Sequence, residues 1–404
     1  MPNDSMDAQR GHPYPLIALL VAMAGVGSLS LNILVPALPA IVTRLQAEPG
    51  HAQLTVSLYL LGLAVSQLVL GPLSDRFGRR PVVLAGLAIA TAASFVAIFA
   101  TTIAGLILAR VAQALGASTG QVVGRAIIRD LYERDRAASV LGLVTTAMVV
   151  IPMLSPLIGG ILDTAFGWES IFVLVAALTF AVLAWAALVL PETRSAAAAQ
   201  SPPGRFMADL RALVSTPRFV GYALSGAFGS APFFTFLGGA PYVTIDMMGR
   251  TSAEYGLWFA FCALGFMAGT YSTSRLAMRH GIDRMIWWGI VVTVIGAFIP
   301  VVLCLIDPDV GPVAVFLPQA IISYGNGLLL PTAIAGAVSI RPQIAGTASG
   351  ITGFTQMAIA AAATQVVSYA IAGAATPMPM LLLMLGFGLA TGIAYLALVR
   401  RLPG

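Results

Sequence analysis

Long apolar runs follow one another along this chain, and the short links between them carry nearly all of its charge. Each run has about the twenty residues that a helix needs to cross the hydrocarbon core of a bilayer. Backbone N–H and C=O groups in lipid must find partners within their own segment, so each run is expected to be a helix. The runs read as 14–43, 52–74, 81–101, 104–127, 138–162, 169–190, 218–245, 254–277, 285–306, 312–339, 345–372 and 377–399. The first is too long for the apolar part of a signal peptide and is taken as a retained span.

Composition leads to the same solvent. Of 404 residues, 58% are hydrophobic and 9% are charged, against about 25% charged in soluble domains. The mean hydropathy is +0.92. Twelve spans with short links fill the length, which leaves no room for a sizeable soluble domain. The net charge of +5 does not indicate nucleic acid, because the arginines stand singly or in small groups between apolar runs. Cys262 and Cys304 lie inside such runs and read as small buried hydrophobes. The three histidines are scattered and show no metal-ligand spacing. No glycine loop ending in Lys-Ser/Thr is present, so nucleotide-driven pumping is not expected. No cofactor is expected, and the chain does not read as an enzyme.

Arginines fix the expected orientation. Eighteen of the 21 fall in the N-terminal tail, the links after even-numbered spans and the C-terminus. Arg44 and Arg250 fall in other links, and Arg110 falls within a span. By the positive-inside rule both termini lie in the cytoplasm. The longest polar link, 191–217, divides the spans six and six, giving halves at 1–190 and 218–404. Within it Phe206, Leu210, Leu213 and Val214 share one helical face, opposite Arg205, Asp209 and Arg211. A short helix on the inner membrane surface is expected there. The halves echo each other: Pro241 stands 205 positions after Pro36, and Gln319 stands 206 after Gln113. The run from Arg275 to Arg284 is a weaker copy of the run from Gly71 to Pro81. Such internal repeats place a substrate site between the halves, near the midplane.

The run Gly71-Pro-Leu-Ser-Asp-Arg-Phe-Gly-Arg-Arg-Pro81 is the most telling link. Asp75, Arg76, Arg79 and Arg80 cannot sit in hydrocarbon, so the chain leaves the membrane and turns back at once. Gly78 permits the tight turn or a close helix approach. Asp75 is expected to face the positive end of a neighbouring helix, and Arg79 to bridge to Asp130 at the end of span four. Contacts of this kind, made in one state and broken in another, bias a conformational equilibrium; the alternative is that these charges only mark topology.

Arg110 is the one charge in a span core, with Gln113 a turn away on the same side. An ionisable residue at that depth is a functional candidate by default. The other reading is a structural hub bonding backbone carbonyls or Asn32.

These elements together resemble the major facilitator superfamily. The resemblance rests on the Gly71–Pro81 hairpin, Val35-Pro-Ala-Leu-Pro39, Ser57-Leu-Tyr-Leu-Leu-Gly62 with Gln67, and Arg110-Val-Ala-Gln113. It continues through Ser155-Pro-Leu-Ile-Gly-Gly160, Gly239-Ala-Pro-Tyr242, Gly325-Asn-Gly327 with Pro331, and Ala345-Gly-Thr-Ala-Ser349. The combination is similar to the twelve-span drug:proton antiporters, and among them to the Bcr/CflA-type multidrug efflux transporters. The resemblance implies an all-α membrane protein with twelve transmembrane helices in two pseudo-symmetric six-helix halves. It implies alternating access, export of a small drug-like molecule or metabolite from the bacterial inner membrane, proton antiport and a monomer in the bilayer. A facilitative or uptake carrier of the same fold is the alternative.

For single residues, the resemblance places Arg110 and Gln113 beside a central cavity, and assigns gating to Gly71, Asp75, Arg76, Gly78, Arg79, Arg80 and Asp130. Asn32 departs from the pattern, since relatives usually carry a carboxylate four residues before the proline at 36. None of the 16 carboxylates lies in a span core; Asp163 and Asp246 come nearest, at outer ends. In span five Pro152, Pro156, Gly159 and Gly160 resemble an exporter motif, as a hinge or as ordinary close packing. Tyr59, Gln121, Phe233, Phe236, Tyr242, Asn326 and Gln356 offer the aromatic faces and neutral hydrogen bonds that suit an apolar cavity. Gln67, Phe234 and Tyr324 are weaker candidates of the same kind.

Overall fold

The computed structural model describes residues 13–132, 134–193 and 205–400, and all its regular elements are helical. The first span is broken in two. Helix α1 (Pro13–Asn32) stops, a 3-10 turn covers Val35–Ala37, and α2 (Leu38–Arg44) resumes. Pro36 and Pro39 have no N–H, so the carbonyls of Asn32 and Val35 lose the donors an α-helix would supply. The turn tightens instead, with the Ala37 N–H on the Leu34 carbonyl at 3.0 Å.

Helices α3 (Pro49–Phe77), α4 (Arg79–Ile98), α5 (Ile103–Leu131), α6 (Arg134–Phe166) and α7 (Glu169–Val189) complete the first six spans. After the short α8 (Arg205–Val214), α9 (Pro217–Pro241) continues through a wide turn to Met247. Helices α10 (Ser252–His280), α11 (Ile282–Ile306), α12 (Pro312–Ser339), α13 (Ala345–Ile371) and α14 (Met378–Tyr395) follow, the last running on to Arg400. The twelve expected spans are therefore all present. Ten are long and apolar enough to cross a membrane by themselves. Of the others, α6 offers a shorter apolar stretch among the described residues, Val150–Phe166, and α10 is diluted by Thr270, Ser272, Thr273 and Ser274.

Several helices outrun their apolar stretches. Helix α5 carries its backbone ladder past Arg125 and Arg129 to Leu131. Hydropathy marks where a helix leaves lipid; hydrogen bonding continues beyond it. Helices α1 to α7 pack on one another, as do α9 to α14, and the main crossings between the sets are α3 on α13 and α6 on α10. Phe95, Phe180, Leu188 and Phe298 stand exposed on the outside, where lipid solvates them.

Helix α8 is present but not free. Leu213 is fully buried with Leu210 beside it, in a cluster with Phe219, Ile351 and Val399. Part of its apolar face thus docks on the second set, while Met207 and Val214 stay exposed. The side chains of Arg205 and Phe206 and the link 194–204 lie outside the described residues.

Candidate functional site

A cavity of about 500 Å³ lies between the two sets of helices. Gln67, Gln121, Arg125, Met148 and Pro152 face it from the first set. Phe233, Phe234, Phe259 and Phe266 form a ring-lined wall on the second, with Ser323, Asn326 and Gln356 between them. The lining residues sit in the middle of α6, α9, α10 and α12 and towards the hairpin ends of α3, α5 and α13. The cavity thus reaches from the centre of the bundle towards the Gly71–Pro81 hairpin.

At the other end the sets are tied together. The Ser252 hydroxyl lies 2.7 Å from the Asp163 carboxylate and 3.2 Å from the Pro36 carbonyl. Ser57 donates to Gln365 at 2.7 Å, and Gln365 donates to the Gly50 carbonyl at 3.0 Å. Small residues allow these approaches. A Cβ on Gly160 would strike the Ser252 carbonyl, one on Gly159 the Ile33 carbonyl, and one on Gly256 the backbone of Pro156 and Leu157. Pro152 lines the cavity and Pro156 is buried, yet α6 runs unbroken through both.

Four of the ten substrate candidates face the cavity: Gln121, Phe233, Asn326 and Gln356. Arg110 does not. It is 1% exposed and closed within the first set. Its guanidinium donates to the Ser30 carbonyl at 2.8 Å, to the Thr55 carbonyl at 3.2 Å and to the Gln113 side chain. It also lies 4.1 Å from the centre of the Tyr59 ring. Gln113 passes the chain on to Ser94 at 2.7 Å, and the Tyr59 hydroxyl donates to the Gly27 carbonyl at 3.1 Å. Arg110 thus bonds two backbone carbonyls, the contacts expected of a hub, with Gln113 and Tyr59 in the same network. Asn32 is buried and donates to the Ser28 carbonyl of its own helix at 2.8 Å, and among the described residues the hydrogen-bond partners of Arg110 are Ser30, Thr55 and Gln113.

Phe236 and Tyr242 are buried away from the cavity lining. Phe236 packs edge-on against Phe316, with ring centres 5.2 Å apart, and Tyr255 lies 5.9 Å from the same ring. Phe316 stands 206 positions after Arg110. The second set therefore has an aromatic cluster where the first has its guanidinium. Gln319, the counterpart of Gln113, is fully buried with no partner for its amide among the described residues.

The hairpin is a closed network. Arg79 is 5% exposed; its guanidinium meets Asp130 at 3.1 Å, Asp75 at 2.6 Å and the Ser74 hydroxyl at 2.6 Å. The predicted link to Asp130 is present. Asp75, expected at the positive end of a neighbouring helix, pairs with Arg79 instead. The carboxylate at the start of α4 is Glu192, which accepts the Arg79 and Arg80 backbone N–H groups at 2.9 and 3.2 Å. Arg80 also donates to the Ala187 carbonyl at 2.8 Å, and Arg76 stacks over Phe77. Gly78 has φ +100° and its N–H on the Ser74 carbonyl, a backbone that side chains disfavour. Gly71 has open space where a Cβ would stand. Gly281 has φ +80° and caps α10, repeating Gly78 in the second set.

Sequence reading passed over Arg125 as a topology marker and missed the α10 wall. Phe259 and Phe266 are seven residues apart with Cys262 and Ala263 between them, a one-face spacing that carried the signal.

The comparisons with known proteins agree with this architecture. The Major Facilitator Superfamily model matches residues 20–364. "Multidrug resistance protein D" of Escherichia coli is 31% identical over 349 residues, covering 84% of this chain and 85% of that protein. A bicyclomycin resistance protein homolog of Haemophilus influenzae is 23% identical over 373 residues, 92% of this chain and 93% of its own. Among solved structures, a bacterial homologue of the human lysosomal transporter Spinster, inward-facing and unoccupied, superposes with a TM-score of 0.74. It covers 96% of this chain and 98% of its own at 16% identity, a likeness of fold. With two thirds of its length and more matched by family model and relatives alike, the chain belongs to the Major Facilitator Superfamily, alongside the Bcr/CflA-type multidrug resistance proteins.

Proposed function

We propose that this transporter exports small, moderately apolar molecules from the cytoplasm by alternating access. The observation that carries the reading is a cavity walled by both sets of helices, reaching towards the hairpin and tied shut at the far end. The arginine distribution supports a cytoplasmic hairpin end, which makes this arrangement inward-facing in a bacterial inner membrane. Residues 1–190 and 218–404 then rock as two halves about the α3–α13 and α6–α10 crossings, joined by 191–217. The ring-lined wall and neutral amides suit drug-like molecules, in keeping with the resistance named for the relatives. Gating belongs to the Arg79 network, which joins α3, α4 and α5 at the mouth. The protein acts as a monomer.

Proton antiport is the coupling that the family resemblance favours. Asn32 favours a second reading, uncoupled movement, because no carboxylate stands in the cavity wall among the described residues. The test is export from efflux-deficient bacteria, followed by flux in proteoliposomes with and without a pH gradient. Export that collapses without the gradient, and is strengthened by Asn32→Asp, supports antiport. A flux indifferent to the gradient supports the carrier without protons, and no flux of any drug-like compound refutes both.

A further inference from the structure

We propose that the cavity takes anionic amphiphiles, and that Arg125 holds their acidic group. This rests on the export reading and names the substrate class. Arg125 lies on α5, fifteen residues beyond Arg110, about 22 Å nearer the hairpin end at 1.5 Å per residue. Arg125 is exposed, and it lines the cavity.

The guanidinium makes no hydrogen bond or ion pair with any described residue. That sets it apart from Arg79, held by Asp75 and Asp130, from Arg218, paired with Asp283, and from Arg250, paired with Glu254. The charge that acts on it is Arg129, one turn further on and of the same sign. Asp130, close in sequence, is committed to Arg79.

Among the described residues, every other polar side chain in the wall is a neutral amide, hydroxyl or thiol. A cationic guest would therefore find no counter-charge and would meet a guanidinium. A neutral guest would leave that guanidinium unmatched. A carboxylate or sulfonate presents two oxygens to the planar fork of an arginine. Gln121, one turn before Arg125 on the same face, is placed to add an amide donor. The apolar body of such a guest then lies against Phe233, Phe259 and Phe266 deeper in the cavity. Among the described residues the wall holds one guanidinium and no carboxylate, two aspects of one electrostatic design.

The test compares three probes on one ring system, 2-naphthoate, 2-naphthamide and 2-naphthylmethylammonium, binding to the full chain in zwitterionic nanodiscs. The expected result is that wild type prefers the carboxylate over the amide by about tenfold or more, the worth of one charge-assisted hydrogen bond. Arg125→Gln should erase that preference with amide affinity unchanged, and Arg125→Lys should keep part of it. Equal affinities in wild type would overturn the proposal. So would a preference that survives Arg125→Gln, or a parallel loss of both probes, the mark of a structural or gating role. Failure of the export reading looks different: naphthoate binds with the Arg125-dependent preference but is not moved by proteoliposomes.

Discussion

Ser252 at the start of α10 and Asp163 near the end of α6 meet at 2.7 Å, joining the two sets of helices at the end away from the hairpin. Asp163 is partly buried there, and the bond is charge-assisted. Ser252→Ala removes about 2 kcal/mol from the closed arrangement of that end, roughly thirtyfold in the opening equilibrium. The check uses Leu38→Cys, a buried site near this seal, after replacing Cys262 and Cys304. Thiol labelling of that site should quicken when Ser252→Ala is added. An unchanged rate would show that the pair does not hold the seal.

The Arg79–Asp130 contact should behave as a coupled pair. Removing one partner leaves a charge with its shell broken, at about 3 kcal/mol. In a double-mutant cycle of Arg79→Ala and Asp130→Ala, the coupling should be about 1–3 kcal/mol. Thermal unfolding and transport are the two readouts. Arg79→Lys should rescue poorly, because one ammonium cannot reach Asp75, Ser74 and Asp130 as the fork does. Additive losses would mean that the contact is incidental.

The two glycines of the hairpin should part company. Gly78→Ala forces a side chain onto a φ of +100° and brings its Cβ to 2.6 Å from the Glu192 carboxylate. A cost of about 1–3 kcal/mol follows. Gly71→Ala has open space and a helical backbone, so it should be neutral or slightly stabilising. Melting temperatures of both variants decide it, and equal effects would be a failure.

Arg110→Ala should first be a folding defect. It strips donors from the Ser30 and Thr55 carbonyls and from Gln113, all in a dry interior, at about 3–5 kcal/mol. Reduced melting with lost transport is the expected pair of results. A variant as stable as wild type but inactive would return Arg110 to the transport path.

Fold and span positions were legible because lipid leaves the backbone one option, and hydropathy reports it directly. The Arg79–Asp130 link was legible because charges at span ends have few partners within reach. The site was legible only in part. Gln121, Phe233, Asn326 and Gln356 face the cavity, while Phe236 and Tyr242 do not, because a bundle buries apolar residues on more than one side of the same helix. Arg110 was visible as an anomaly, but whether it points to water or to carbonyls depends on the packing of α1 and α3. Arg125 was overlooked because helix α5 outruns its apolar stretch, so a residue at the span boundary still faces the cavity.

Phe316 occupying the position that corresponds to Arg110 has a mechanical consequence. Guanidinium-to-carbonyl bonds tolerate little change in angle or length, whereas edge-on rings stay in contact over about 4.5–7 Å. At that position the first set is therefore held by directional bonds and the second by ring contacts. Sliding between neighbours should concentrate in the second half, with the first half turning as a block.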